Sequence, residues 1–390
     1  MGDAMGCLVR SQSWVYSLPN QMRYVLRHAS RTLKWPLAGF AVGVILPLLV
    51  ALGALADEWC ADGMQIRERL ERAIKNKQEI WVFEQCDRTA VPALIAALKD
   101  PNSAIRRSAT AALIEMEAEA QAAVPALIAA LKDADSGVRG YAASALGIIG
   151  AEAQDVAPAL IESLKDKNPE VRSSAASALG SMGTEAQDVV PALIESLKDP
   201  NSEVRSSAAF ALRFIGHEAH DAFPALIESL KDPNPEVRSS AAYTLGFIRH
   251  EVNDAVLALI ASLKDPDPDV RSNAALAFTF IGHEAHDAVP ALIASLKDPD
   301  PKVRGFAALA LGSIGAEAQS ALPELIATLK DEESAARGSA AAALTGIAND
   351  LCKTATPDRR ATAREVTLLV GSLLQNPEHE YLISGLECLK

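Results

Sequence analysis

The chain has 390 residues, 49% of them hydrophobic, and a formal net charge of −13. That hydrophobic share excludes a mainly disordered protein, and the acidity, with no basic stripe to offset it, argues against binding to nucleic acid. Aromatic residues make up only 5% while Ala abounds, a balance suited to closely stacked helices whose backbones approach one another.

Residues 1–35 form a basic segment, with Arg10, Arg23, Arg27, Arg31 and Lys34 against the single acid Asp3. That +4 leaves −17 for the rest of the chain. From Leu37 to Ala56 run 20 residues without a charge, LAGFAVGVILPLLVALGALA, with Asp57 and Glu58 directly after. This is about the length that crosses a hydrocarbon core of ~30 Å. Residues 36–56 are read as a signal peptide or a transmembrane anchor. Ala54-Leu55-Ala56 before an acid resembles a signal-peptidase site, whereas the run exceeds the roughly 7–15 residues of a usual apolar leader core. Initiation at Met22 would leave a more ordinary leader. In either reading the preceding positive charge keeps the N-terminus cytoplasmic and places the repeats and both caps on the non-cytoplasmic side, the periplasm or its equivalent. A third reading, a buried helix of a soluble protein, would need an apolar core on every side.

Residues 57–88 are an N-terminal cap, and from 89 to 348 the sequence repeats every 33 residues, eight times, without slippage. Asp recurs at Asp100, Asp133, Asp166, Asp199, Asp232, Asp265, Asp298 and Asp331, and Arg at Arg106, Arg139, Arg172, Arg205, Arg238, Arg271, Arg304 and Arg337. A constant period of this kind marks a stacked array in which no unit buries its apolar face alone. Residues 155–187 show the logic of one unit. Asp155 is placed to cap a first helix, A, over roughly 156–165, with Pro158 in its first turn and Leu160, Ile161 and Leu164 on one stripe. The cap position reads Thr89, Ala122, Asp155, Asp188, Asp221, Asp254, Asp287 and Ser320 along the array. DKNPE then breaks the chain. Asn168 caps a second helix, B, with Pro169 at its first position, Val171, Ala175, Ala178, Leu179 and Met182 inward, and Gly183 ending it in a left-handed turn.

The unit VPALIESLKDPNSEVRSSAAFALRFIG resembles the HEAT repeat, and within that class the short regular units of the phycobilisome-lyase-like HEAT family. The resemblance covers about 260 residues. It implies an all-α fold, a right-handed α-solenoid of HEAT-like helical hairpins behind the N-terminal apolar segment. It also implies that the Asp and Arg series is a structural ladder tying neighbouring helices together. For function it is less specific, since such arrays serve as lyase subunits, hydroxylases and plain adaptors. Residues 349–390 form a C-terminal cap with a degenerate ninth repeat, LLVGSLLQNPEHEYLISGLECL, in which His379 and Glu380 replace the Val-Arg pair. Four cysteines lie beyond the apolar segment: Cys60, Cys86, Cys352 and Cys388. Stacked repeats about 10 Å apart hold the array ends too far apart for a cross-end bridge. Any disulfides should therefore be Cys60 with Cys86 and Cys352 with Cys388.

The outward stripe of helix B varies. In the third unit it is Ser177, Ser181 and Thr184; in units four to six it becomes Phe210, Phe214, His217, then Tyr243, Phe247, His250, then Leu276, Phe280, His283; the seventh unit returns to Leu309, Ser313, Ala316. Two readings stay open, a recognition surface for a protein partner or filler packed between neighbouring B helices. In HEAT arrays the B helices line the concave side. The His-Glu pairs of GHEAHDA at 216–222 and 282–288 resemble those of deoxyhypusine hydroxylase, a di-iron HEAT enzyme. Here, however, they come after the terminal Gly instead of opening helix B, and units ~10 Å apart cannot bring their histidines to one metal. The expectation is a non-catalytic interaction scaffold that needs no cofactor and no metal, with a bilin lyase-like subunit or a metal-dependent hydroxylase as alternatives.

Overall fold

The computed structural model describes residues 90–149, 153–183, 189–248 and 251–353, together with the helical residue Glu68. The caps, the apolar segment and the ninth repeat lie outside those residues, apart from Glu68 and the last turn of the final helix. The chain divides into two compact units, one up to Glu152 and one from Ala153. Each is a stretch of α-solenoid, and among the described residues all regular structure is helical.

In the first unit α1 (Val91–Ala97) pairs with α2 (Ser103–Glu115), and α3 (Val124–Ala130) with α4 (Ser136–Ile149). The second unit has six hairpins: α5 (Ala153–Ser163) with α6 (Pro169–Ser181), α7 (Val190–Ser196) with α8 (Ser202–Ile215), α9 (Phe223–Ser229) with α10 (Pro235–Ile248), α11 (Val252–Ser262) with α12 (Pro268–Ile281), α13 (Val289–Ser295) with α14 (Pro301–Ile314), and α15 (Leu322–Thr328) with α16 (Ser334–Lys353). Odd helices are the A helices and even ones the B helices. Within each unit every B helix packs directly on the next, which makes the B helices the spine.

The inward pattern follows from the sequence. Val171, Ala175, Ala178 and Leu179 are buried, as are their counterparts Val204, Ala208, Ala211 and Leu212. Met182 is only half-buried, while Ile215, Ile248, Ile281 and Ile314 at its position are buried. The B helices start as read: the side chains of Asn102, Asn168, Asn201, Asp267 and Asp300 accept backbone N–H groups of the first turn, the interaction that satisfies otherwise orphaned donors.

The A helices start differently from the expectation. None of α1, α3, α7, α9, α11, α13 and α15 has a side-chain cap. Ala122, Asp221, Asp287 and Ser320 lie inside 3-10 segments at Glu117–Ala123, Gly216–Ala222, Gly282–Ala288 and Gly315–Ala321, Asp254 lies in the first turn of α11, and Asp155 falls within α5. Thr89 and Asp188 are outside the described residues. The reason is local: the first N–H of α9 bonds the His220 carbonyl and that of α13 the His286 carbonyl. With Pro next in the chain, whose nitrogen has no hydrogen, little is left for a cap to satisfy. The terminal glycines also depart from the expected left-handed turn. Gly216, Gly282 and Gly315 have φ of 66°, 70° and 78° but ψ near −136°, a region open essentially to glycine alone.

Candidate partner-binding face

Three B helices of the second unit, α8, α10 and α12, carry the variable stripe. Along it the rings form a continuous ladder. Phe210 meets Phe214 edge-on at 5.5 Å between centroids and stacks on Tyr243 at 6.3 Å. Tyr243 meets Phe247 at 5.1 Å and Phe280 at 5.9 Å, and Phe247 lies 4.1 Å from Phe280. Phe210, Phe214 and Phe280 remain 40%, 46% and 37% exposed, whereas Tyr243, Phe247 and Leu276 are half-buried. The two readings of the stripe thus divide by position: the middle rings fill the seam between helices, and the outer rings stand in solvent. On either side the ladder stops, at the exposed Ser177 and Ser181 of α6 and at Ser313 of α14.

The periodic reading missed Arg213. Its guanidinium lies 4.2 Å from the Phe210 ring centre, 4.1 Å from Phe214, 5.0 Å from Tyr243 and 5.7 Å from Phe247. Its Nη1 donates to the Tyr243 hydroxyl at 2.9 Å, and its buried Nε has no hydrogen-bond partner. The signal was present at the right register. Units three, five and seven have Gly180, Gly246 and Gly312 there, and a Cβ built on those glycines would come within 2.6–2.8 Å of the backbone of the next B helix. In unit four the glycine becomes Arg213. Across the seam on α10, where the other seams present an Ala, stands the buried Thr244, whose hydroxyl donates to the Ala209 carbonyl at 2.8 Å. A seam closed after units three, five and seven by Gly against Ala is here built from Arg, Thr and aromatic rings.

His217 and His283 are exposed at the end of the stripe, and His250 lies outside the described residues. His217 sits 3.2 Å from the neighbouring Glu218, and His220 and His286 each 3.6 Å from the Asp next in the chain. Among the described residues no group of three His, Cys, Asp or Glu is arranged to hold a metal.

The Asp and Arg series has a single repeated geometry. Arg172 donates from Nε and Nη2 to both carboxylate oxygens of Asp199 at 2.7 and 2.8 Å, and from Nη1 to the carbonyl of Asp166 in its own unit at 2.8 Å. Arg106–Asp133, Arg205–Asp232, Arg238–Asp265, Arg271–Asp298 and Arg304–Asp331 repeat the fork. Arg106, Arg139 and Arg337 reach the carbonyls of Asp100, Asp133 and Asp331. These pairs hold the six carboxylates below the usual range. At Asp133 and Asp331 the Arg hydrogen bond leads and burial opposes it. At Asp199, Asp232, Asp265 and Asp298 burial pushes upward, but the Arg hydrogen bond, a backbone N–H and the nearby guanidinium charges outweigh it. Each Arg hydrogen bond in turn raises its guanidinium.

Cys352 is disulfide-bonded; Cys60, Cys86 and Cys388 lie outside the described residues, as does Leu37–Ala56. Among the described residues no helix is long and apolar enough to cross a membrane.

The sequence profile for HEAT repeats matches at 91–180, 124–213, 190–259 and 256–345. No curated protein matches the chain. Among solved structures, an engineered protein is 24% identical, covering 84% of this chain and 93% of its own, with a TM-score of 0.51. Kap95p, solved in a complex with RanGDP, is 17% identical with a TM-score of 0.56; the match covers 87% of this chain and 52% of Kap95p. The CpcE–CpcF complex of phycocyanin lyase from Nostoc sp. PCC7120 is 26% identical over 64% of this chain and 94% of its own, with a TM-score of 0.40. With profile matches running unbroken from 91 to 345, through the eight hairpins built on this period, the chain belongs to the HEAT-repeat family.

Proposed function

We propose that this protein is a non-catalytic scaffold that binds a protein partner through the B-helix face of repeats four to six. The observation that carries the reading is the contiguous aromatic ladder of Phe210, Phe214, Tyr243, Phe247 and Phe280, partly exposed and confined to three adjacent hairpins. The flanking units stack with Ser177, Ser181 and Ser313 on this stripe; here Tyr243 and Phe247 fill the seam between helices, and the exposed Phe210, Phe214 and Phe280 are left to serve something other than the array. Solvent-facing rings grouped in one patch are the composition of a contact surface, with Tyr, Phe and Arg its usual anchors. His217 and His283 border it. The fold suits the task, since a solenoid offers an extended surface on a rigid spine.

The proposal extends to location. The uncharged Leu37–Ala56 after five basic residues supports an anchored or secreted protein whose repeat array lies on the non-cytoplasmic side. A disulfide at Cys352 suits that oxidising compartment.

The test compares the full chain with a variant carrying Phe214→Ser, Phe247→Ser and Phe280→Ser, the residue that Ser181 and Ser313 already supply in the flanking units. Affinity capture from the native compartment, with chelator present, should recover a partner with the first and not the second. Equal recovery by both would refute the reading.

A further inference from the structure

The aromatic face contains a charge that no described residue answers with its own. Each of six ladder arginines is forked onto an Asp of the next unit. Arg213 is built differently. Among the described residues no carboxylate pairs with it; its neighbours are four rings and a tyrosine hydroxyl. The acids of these three helices stand at their ends, Glu203, Glu236 and Asp269 in the first turns and Glu218 and Glu284 after the last, and the turns between carry none. Residues 204–217, 237–248 and 270–283, which make up most of α8, α10 and α12, contain no Asp or Glu, in a chain that has 50. The net charge of −13 therefore does not describe the middle of this face, around the rings. Of the arginines in those three stretches, Arg205, Arg238 and Arg271 are neutralised by their forks and Arg213 is not.

Two further features restrict what can sit there. A cation bound to the rings by their π-faces is disfavoured, because Arg213 already covers the faces of Phe210 and Phe214 and would repel it. An anion gains twice: the guanidinium is held in place by rings, so little side-chain entropy is lost on pairing, and the apolar surroundings weaken screening. Beside the rings runs a polar row. Ser206 lies 3.0 Å from Ser240, and Asn273 donates to Ser239 at 2.6 Å. The hydroxyls of Ser206 and Ser240, one turn from Phe210 and Tyr243, suit the amide groups of a polypeptide backbone, and offer nothing to acyl chains.

We propose that the occupant of this face is a polypeptide segment presenting a carboxylate flanked by aliphatic or aromatic side chains, with the carboxylate on Arg213 and the apolar groups on Phe214, Phe247 and Phe280. This rests on the reading of the face as a partner surface and adds the chemistry of the partner. Arg213 is the specificity-determining residue, and the position is unique to unit four because Gly or Thr at the same register in units three and five to eight leaves no cation.

A random dodecamer display library selected on the full chain tests it. The enriched peptides should share an Asp or Glu adjacent to apolar residues. A synthetic peptide of the leading sequence should lose about tenfold or more in affinity when its acid becomes Asn or Gln, and a similar factor when the protein carries Arg213→Gln. The two changes together should cost little more than either alone. Changing the peptide leaves the protein untouched, so the result does not depend on the Arg213→Gln variant folding. Enriched peptides without an acid, or indifference to the amide change, overturn this proposal; if their binding is still lost in the Phe214→Ser, Phe247→Ser, Phe280→Ser variant, the partner face itself stands. Peptides that bind this triple variant equally well, or no enrichment at all, overturn both. Phosphatidylglycerol vesicles retained by the full chain and released by Arg213→Gln, with peptides showing no acid preference, would assign the charge to a lipid surface and overturn the polypeptide assignment.

Discussion

Arg238 holds Asp265 of the next hairpin through two parallel hydrogen bonds, Nε to Oδ2 at 2.8 Å and Nη2 to Oδ1 at 2.9 Å, while its Nη1 donates to the Asp232 carbonyl of its own hairpin at 2.9 Å. One side chain thus fixes both the loop of its own unit and the register of the neighbour. The two side chains are 14% and 11% exposed, so water screens the pair little. Asp265→Asn should cost about 1–3 kcal/mol, the range for a charge-assisted bond lost in a partly buried setting. A double-mutant cycle with Arg238→Gln should give a coupling of ~1 kcal/mol or more. Strictly additive losses would show the fork to be incidental.

The same pairs set the response to acid. Asp133, Asp199, Asp232, Asp265, Asp298 and Asp331 all have folded values lowered from the ordinary carboxylate range. At a pH near that range the unfolded chain therefore binds more protons than the folded one, and stability rises with pH. The contribution is complete above the unfolded value, about 3.9, and is lost as pH falls toward the depressed folded values. Urea midpoints should be level from about pH 7 to 5 and fall steeply below about 4. Asp265→Asn should shrink that fall. A midpoint unchanged down to about pH 2.5 would contradict the ladder as a source of stability.

Helix approach is the second determinant of register. A Cβ on Gly246 would lie 2.8 Å from the Ala277 carbonyl oxygen and 2.9 Å from its Cα. Backbone cannot swing aside as a side chain does, so Gly246→Ala should destabilise by about 1–3 kcal/mol. Gly338, exposed within α16 with nothing within 4 Å of such a Cβ, should behave oppositely. There Gly338→Ala should stabilise by about 0.5–1 kcal/mol through lost unfolded-state freedom. Thermal melts of the two variants moving in the same direction would refute the close-approach account.

The fold was legible because its determinants are periodic. Asn168, Pro169, Val171 and Leu179 each state one local fact, and the 33-residue lag repeats most of it: Asn or Asp holds the first position in seven units, and Pro the second in four. The A-helix entry was not legible, because Asp221 and Asp287 look like caps until the backbone before them is known to be a 3-10 turn that leaves a cap little to satisfy. The candidate face was half legible. Phe214, Phe247 and Phe280 announce themselves as outward departures from the repeat, but Arg213 stands at a register that belongs to neither the inward set nor the outward stripe as read from the sequence. Only the distance from Gly180 to Ala211 reveals how unusual an arginine is there.

The cysteine pairing has its own test. Cys352 is in a disulfide and closes the described part of α16. Non-reducing peptide mapping of protein from its native compartment should recover Cys352 linked to Cys388, and Cys60 linked to Cys86, each closing a loop over an array end that lacks a neighbour on one side. Free thiols at all four positions would remove the staples and one support for a non-cytoplasmic location.

The central claim is that a protein partner sits on the outward stripe of α8, α10 and α12 and not on the same stripe elsewhere. Photocrosslinking reads this most directly. A benzoylphenylalanine placed singly at positions 214, 247 and 280, and at the equivalent 181 and 313, keeps the geometry comparable across five hairpins. The account predicts crosslinks to one polypeptide partner from 214, 247 and 280 and none from 181 or 313. Crosslinks of equal yield from all five positions, or from 181 and 313 alone, would contradict it.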